Sequence, residues 1–523
     1  MIVDQMSWDY LYRYADRFGE GGFRRLLKEG FNCHNARIDY IPSVTAIGHA
    51  TVYTGSVPSI HGIAGNHFYE GRNGRYCTED STVMTVGAEP GKSGQMSPRN
   101  MRATSITDEL KLATNFRSKV VGVAIKDRGA ILPAGHTADA AYWFDDKSGH
   151  FITSTYYMKE LPRWVRKFND QRLPEKYLRQ GWRSLYAAKT YLESLPDDNP
   201  YEAGWAEGHG PTLPLDTKTL GQKQGFGVIR TTPMGNTLTL DMARAAIEGE
   251  ELGAYRKGEP VSTDFLAVSL SSTDYIGHRY APLSMEIEDT YLRLDRDLKS
   301  FFDYLDARYG KDGYLFFLTA DHAAGHNLKF LEDRKLPGRA WRSDLARKLV
   351  DSVCRAELGA EAKVFVAVAN NQVFFDDAEL DRLGADRSRL YESVRRQLDR
   401  MPGVAYSVVM EEASTATLPE DIKQRAINGY CRGRSGAIFV VLHPGWYSHG
   451  SSTPAKGTSH SVWAPYDTHI PLIFLGHKVR SGHLYRQVYM TDIAATLAMY
   501  LKIQLPSGCI GRPIEELFKD LDD

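Results

Sequence analysis

Three aspartates and three histidines stand where metal chemistry would need them. Asp274 and His278 are separated by three residues, so one turn of helix puts both on one face. Asp321 and His322 are adjacent and offer an oxygen and an imidazole together. His460 adds a third imidazole from a distant loop, and Asp4 a third carboxylate. Such a set suits two Zn²⁺-like ions, each with nitrogen and oxygen ligands and an open position. Taken singly each motif is weak. D-x-x-x-H recurs by chance, and a buried Asp–His pair is often only a hydrogen-bonded pair.

The second chemical signal is the stretch Tyr40 to His67. Thr45 sits where a loop ending in Ile41-Pro42 gives way to a helix-like run, Thr45 to Thr54. Free N–H groups and the helix dipole at such a start favour negative charge and bind phosphate. A metal or base there would make the hydroxyl a nucleophile. Read alone, the stretch fits an ordinary helix cap better than a catalytic hydroxyl, and only the other motifs reverse that. Beyond the helix, a glycine-punctuated loop returns Asn66 toward the same place. Lys126 and Arg128 follow an apolar run, and alternation at a strand end would aim both at one region with Asp127 turned away. The plainer alternative is a solvated charge pair. A point-charge ammonium with a forked guanidinium suits a phosphate monoester dianion.

The elements that must hold these groups are apolar strands. Met1 to Val3, Lys119 to Ile125, Asp264 to Leu270 and Tyr314 to Ala320 end in Asp4, Lys126, the Asp274 loop and Asp321-His322. In open α/β sheets, sites form beyond the carboxyl ends of strands. Pro471 to Leu475 reads as a last core strand, Ala362 to Asn370 and Gln372 to Phe375 as a strand pair. Helical spacing marks Gly21 to Glu29, Ser284 to Leu305 and Met490 to Leu501. Strand and helix alternate in the manner of a mostly parallel sheet with helices on both faces. Residues 140–260 break that alternation, with tryptophans 143, 164, 182 and 205 among Tyr, Pro and charge. They read as a large cap-like insertion in a single domain spanning residues 1–523, the tryptophans as packing groups. His49, His61, His67, His136, His326 and His469 read as packing or hydrogen-bonding residues. Pro444 to Thr468 reads as the loop that carries His460.

Composition excludes several functions. A net charge of −1 over 523 residues argues against nucleic acid or an anionic membrane as main partner. No apolar run is long enough to span a bilayer. Five cysteines without C-x-x-C spacing leave the redox compartment open. The three residues before Asp4 are short for a strand, so the reading expects a native start, with any signal peptide, to have been lost.

These residues together resemble the alkaline phosphatase superfamily: Asp4, Val44-Thr45-Ala46, Gly65-Asn66, Asp274-x-x-x-His278, Thr319-Ala320-Asp321-His322-Ala323-Ala324-Gly325 and Gly457-Thr458-Ser459-His460. The resemblance is nearest to its PafA-type, phosphate-irrepressible branch and covers almost the whole chain. It implies an α/β three-layer sandwich and a monomeric, periplasmic or otherwise exported phosphomonoesterase. It implies two Zn²⁺ ions, one on Asp274, His278 and His460, the other on Asp4, Asp321 and His322 and touching Thr45. Thr45 would carry a phosphothreonine intermediate, with Asn66, Lys126 and Arg128 binding the phosphoryl group. Two other classes stay open: a phosphodiesterase or nucleotide pyrophosphatase of the same superfamily, and a non-catalytic zinc-dependent phosphate-binding protein.

Overall fold

Near-continuous apolar runs become the middle of a ten-stranded sheet in the computed structural model, which describes residues 1–205, 208, 210–255, 258, 260–449 and 456–518. In chain order its strands are β1 (Ile2–Val3), β2 (Phe31–Cys33), β3 (Thr85–Val86), β4 (Val120–Ala124) and β5 (Ala140–Asp145). β6 (His150–Ser154), β7 (Phe265–Leu270), β8 (Leu315–Thr319), β9 (Leu472–Gly476) and β10 (Gly482–Leu484) complete it. Their spatial order is β10-β2-β9-β8-β1-β7-β4-β5-β6-β3. The middle five, β8-β1-β7-β4-β5, are parallel. Antiparallel β9 flanks them on one side and β6 on the other. Every residue of β4 is buried, so both sheet faces are covered.

Four helices position the site: α1 (Thr45–Thr54), α2 (Asp127–Ala134), α3 (Ser272–Tyr280) and α4 (Met285–Tyr309). Each of the ten residues of α1 is buried. Ile287, Tyr291, Leu294, Leu298 and Phe302 bury one stripe of α4, as their helical spacing expects. The strands expected at 119–125, 264–270, 314–320 and 471–475 all form, each trimmed by a residue or two or displaced by one. β9 runs antiparallel to β8, which an apolar pattern alone does not reveal.

The region read as an insertion divides. Its first residues are β5 and β6, part of the central sheet, and a helix, Met234–Gly249, packs on β7 and β4. The segment between leaves the sheet and is tied to α4, where Trp182 Nε1 donates to Asp289 Oδ2 at 2.8 Å. Residues 206, 207, 209, 256, 257 and 259 lie outside the described residues, as do 450–455 of the His460 loop.

The pair Phe365–Ala369 and Gln372–Phe375 is not part of the central sheet. It joins Ile438–Leu442 and Val404–Val409 in a separate four-stranded antiparallel sheet. That sheet has its own core, including Val350, Val373, Leu380, Leu390 and Ile438. All five cysteines are unpaired.

One glycine fixes where α1 sits. A Cβ on Gly48 would lie 2.5 Å from the Asp321 carbonyl oxygen and 2.6 Å from Asp321 Cβ. The helix therefore rests directly on the tip of β8. Gly48→Ala is expected to force these backbones apart and to cost about 1–3 kcal/mol, as overpacking does. Urea denaturation measures this, and an unchanged midpoint would mean that α1 shifts freely on β8.

Candidate active site

The tips of β1, β7 and β8, adjacent in the sheet, deliver Asp4, the α3 residues Asp274 and His278, and Asp321-His322 to one place. Two groups of potential ligands result, each with its ligating atoms within 4.8 Å of one another: Asp4, Asp321 and His322, and Asp274, His322 and His460. His278 joins through Asp274, its Nε2 lying 3.2 Å from Asp274 Oδ1, as the one-turn spacing expects. His322 Nε2 lies 3.7 Å from Asp4 Oδ1 and 3.6 Å from Asp321 Oδ2. It thus stands within reach of both groups.

The donor set fits metal ions. Each of the three imidazoles spends Nδ1 on a backbone carbonyl: His278 on Thr458 at 2.9 Å, His322 on Ala323 at 3.0 Å, His460 on Ser43 at 2.6 Å. That hydrogen bond fixes the tautomer and leaves Nε2 as a ligand. Asp4 Oδ1 and Asp321 Oδ2 are buried with no hydrogen-bond partner. Orphaned carboxylate oxygens beside inward-facing Nε2 atoms are what a bound cation would satisfy.

Electrostatics show the same strain. Burial and the neighbouring Asp4 charge push Asp321 well above the usual carboxylate range. Asp274 is held well below it: burial opposes this, and the His278 and Lys126 charges overcome burial. Burial, with His322 and His278 close by, drives His460 well down. At His278 burial also disfavours the charged form, but Asp274 outweighs it and raises the imidazole. Lys126 Nζ lies 2.6 Å from both Asp4 Oδ2 and Asp274 Oδ2, a positive charge between carboxylates of the two groups.

Thr45 is the first residue of α1, buried, with Oγ1 3.4 Å from His322 Nε2. It does not act as the helix cap, because that position is Val44. Asn66 Oδ1 accepts the Ala46 N–H at 2.9 Å, which brings the glycine loop to the helix start. Lys126 and Arg128 are placed differently from the strand alternation expected for them. β4 ends at Ala124, Lys126 is the N-cap of α2, and Arg128 lies in its first turn. A helix begins where the alternation was read, so the two side chains take different partners. Arg128 donates to Tyr76 Oη at 2.9 Å, and Tyr76 in turn donates to Asp127 Oδ1 at 2.8 Å.

Several supporting residues gave no sequence signal. Gln5, at φ 64°, donates its N–H to Asp321 Oδ1 at 3.1 Å and Nε2 to Asp274 Oδ1 at 2.6 Å. It fits only because Gly277 is bare: a Cβ there would lie 1.8 Å from Gln5 Oε1. Asp467 Oδ2 accepts from Ser43 Oγ at 3.2 Å and from the Val462 N–H at 2.9 Å, joining the Thr45 approach to the His460 loop. Gly457, at φ 69°, passes directly over the His278 carbonyl. Tyr76 belongs to a hairpin in the stretch between Asn66 and Lys126.

Known proteins share this arrangement at the level of the whole chain. A family model described as type I phosphodiesterase / nucleotide pyrophosphatase matches residues 1–467. Alkaline phosphatase PafA of Elizabethkingia meningoseptica is 47% identical over 519 residues, covering 99% of this chain and 93% of that protein. The crystal structure of wild-type PafA aligns with a TM-score of 0.94 at 47% identity, over 99% of this chain and 98% of that one. The chain belongs to the alkaline phosphatase superfamily, in its PafA-type branch. It is a phosphomonoesterase with the α/β sandwich of that branch. A Myroides odoratus protein named calcium-transporting ATPase is also similar, 51% identical over 99% of this chain and 93% of its own length.

Behind the ligands of the phosphatase, His49 and His61 are fully buried and hydrogen-bonded. His49 Nδ1 meets the Thr45 carbonyl at 2.8 Å and Nε2 meets Ser269 Oγ at 2.8 Å. His61 Nδ1 accepts the Ile63 N–H at 3.1 Å. Burial lowers His49 to about 4 and His61 to about 3. Below pH ~6.5 the unfolded chain therefore binds protons that the folded chain refuses. Stability is complete above that pH and falls as pH drops toward the folded values. The full gap is worth about 3 kcal/mol for His49 and about 5 kcal/mol for His61. The urea midpoint of wild type should fall more steeply between pH 7 and 5 than that of His61→Gln. Parallel slopes would mean that His61 takes up its proton without unfolding.

Proposed function

We propose that the phosphatase transfers the phosphoryl group of a monoester to Thr45, and that water then releases phosphate from that threonine. The observation that carries this reading is Thr45 Oγ1 at the start of α1, 3.4 Å from Nε2 of His322, the imidazole common to both ligand groups. Asp4, Asp321 and His322 would hold one Zn²⁺ beside Thr45, and Asp274, His278 and His460 a second. Zinc held there would supply Lewis-acid charge where the transferring group gains negative charge. The N–H groups of the first turn of α1 add the positive end of a helix dipole. Asn66 already spends its oxygen on Ala46, which leaves its amide NH₂ to donate to a phosphoryl oxygen. Lys126 brings a compact charge and Arg128 a fork. Zinc, the phosphothreonine and export from the cytoplasm are what the resemblance to the alkaline phosphatase superfamily implies.

The family model also names diesterases. The buried Lys126 and half-buried Arg128 favour a dianion, since a monoester carries one more charge than a diester. Transport, the property in the Myroides name, has no support here: among the described residues no helix is long and apolar enough to cross a membrane.

Three experiments test the reading. Elemental analysis of the active protein should find about two zinc ions per chain, the number for which six ligands suffice. A chelator should abolish activity, and full activity with one metal or none would overturn the assignment. Thr45→Ala should lower turnover by several orders of magnitude, with phosphate on Thr45 after acid trapping of wild type. Phosphate on another residue would refute the nucleophile. Lys126→Ala and Arg128→Ala should each cost roughly ten- to a hundredfold in kcat/KM for monoesters, about 1.5–3 kcal/mol, and much less for diesters. Equal losses on both substrates would reassign these residues to holding the fold or the metal site.

A further inference from the structure

A second group of buried carboxylates lies away from the phosphatase ligands, where the insertion crosses the start of α4. The loop Asp197 to Glu202 runs beside the end of α3, with the Ala203 N–H donating to the Arg279 carbonyl at 2.9 Å. Glu202 and Glu286, the latter in the first turn of α4, are both fully buried. Neither carboxylate oxygen of Glu286 has a hydrogen-bond partner, and neither does Oε2 of Glu202. Asp197 faces Glu286 at hydrogen-bond range, carboxylate to carboxylate. Its own oxygens accept the Leu213 N–H at 3.1 and 3.2 Å. Among the described residues no lysine or arginine forms an ion pair with any of the three. The charge of Lys456 reaches Glu202 only from an exposed position.

Two buried carboxylates with three unmet oxygens, facing a half-buried third, are costly to hold as anions. Protons or a cation must be present. A single shared proton joins one pair of oxygens and leaves the others of Glu286 and Glu202 unmet. The donor atoms are all oxygens, with no imidazole or thiolate, so the matching ion is hard. Asn199, between Asp197 and Glu202, adds a side-chain amide whose Nδ2 now meets Glu202 Oε1. Mg²⁺ keeps several waters and demands an octahedron, whereas Ca²⁺ accepts an irregular cage of protein oxygens. The full burial of Glu202 and Glu286 therefore favours calcium.

We propose that Asp197, Glu202 and Glu286 form a structural Ca²⁺ site that fastens the insertion to the start of α4. The site is absent from the phosphatase chemistry and shares no ligand with it. Its surroundings make it most useful at alkaline pH. Burial, with Asp197 and Asp198 nearby, pushes Glu202 up to about 8, against the opposing pull of Asn199 and Lys456. Burial and Glu202 push Glu286 well up, and Tyr280 stands beside both. Below that range protons quiet the repulsion. Above it the cation must.

The test uses the zinc-loaded protein, desalted into buffer containing zinc and no other divalent ion. At pH 9, calcium titration calorimetry should show one Ca²⁺ per chain, and 1 mM calcium, about a thousandfold above a micromolar dissociation constant, should raise Tm by several degrees. Glu286→Gln and Glu202→Gln should each bind calcium at least about tenfold more weakly and lose the rise in Tm, with monoesterase kcat/KM unchanged. Two results overturn the proposal: no calcium binding by wild type, with Glu286→Gln equally stable, which means shared protons; or calcium binding unchanged in both variants, which places the ion elsewhere. Should Glu286→Gln fail to fold, the wild-type titration and Asp197→Asn decide by the same criteria.

Discussion

Three carboxylates buried at the ends of neighbouring strands govern this structure. Asp4, Asp274 and Asp321 are all but inaccessible to solvent, and adjacency in the sheet leaves them no room to diverge. Water cannot screen such charges, so positive charge must come to them. Lys126 supplies some of it, bridging Asp4 and Asp274. The two oxygens left over on Asp4 and Asp321 show that one ammonium does not suffice. A buried lysine answers part of that demand, and three Nε2 atoms aimed at the same point, themselves acceptors, leave the rest to a cation.

The surrounding backbone is built to keep those groups from relaxing apart. Each imidazole is locked by a carbonyl, and the carbonyls belong to segments that are themselves pinned. Ser43 O holds His460, while Ser43 Oγ is held by Asp467, which also grips Val462. Gly48, Gly277 and Gly457 let α1, Gln5 and the His460 loop approach to distances that any side chain would forbid. Rigid placement of this kind is what a metal site requires of its protein, since ligand geometry and not raw affinity sets the chemistry.

Much of this was legible in the sequence, for identifiable reasons. Strands buried on both faces leave unbroken apolar runs, so their tips, and the ligands on them, were marked by the first polar residue. The one-turn spacing of Asp274 and His278 survived because a helix does form there. Lys126 and Arg128 take different partners and not the one direction expected of them, because nothing in Lys-Asp-Arg distinguishes a strand end from a helix start. β5 and β6 were absorbed into the insertion because aromatic-rich neighbours hid their short apolar pattern. Gln5 could not have been found: its part depends on a positive φ and on a bare glycine 272 residues away. The small antiparallel sheet was missed as a unit because strand pairing across long connections leaves no local trace.

The hydrogen bond from His460 to the Ser43 carbonyl spans 417 residues of chain, and that from Gln5 to Asp321 spans 316. A cluster assembled over such separations has very high contact order. Loop closure on that scale is entropically expensive and slow, and it is rewarded only once the sheet between is complete. No fragment shorter than residues 4–460 contains the site. Its ligands become neighbours only when nearly the whole polypeptide has found its place, so a growing chain on the ribosome cannot capture metal at this centre before synthesis is almost finished.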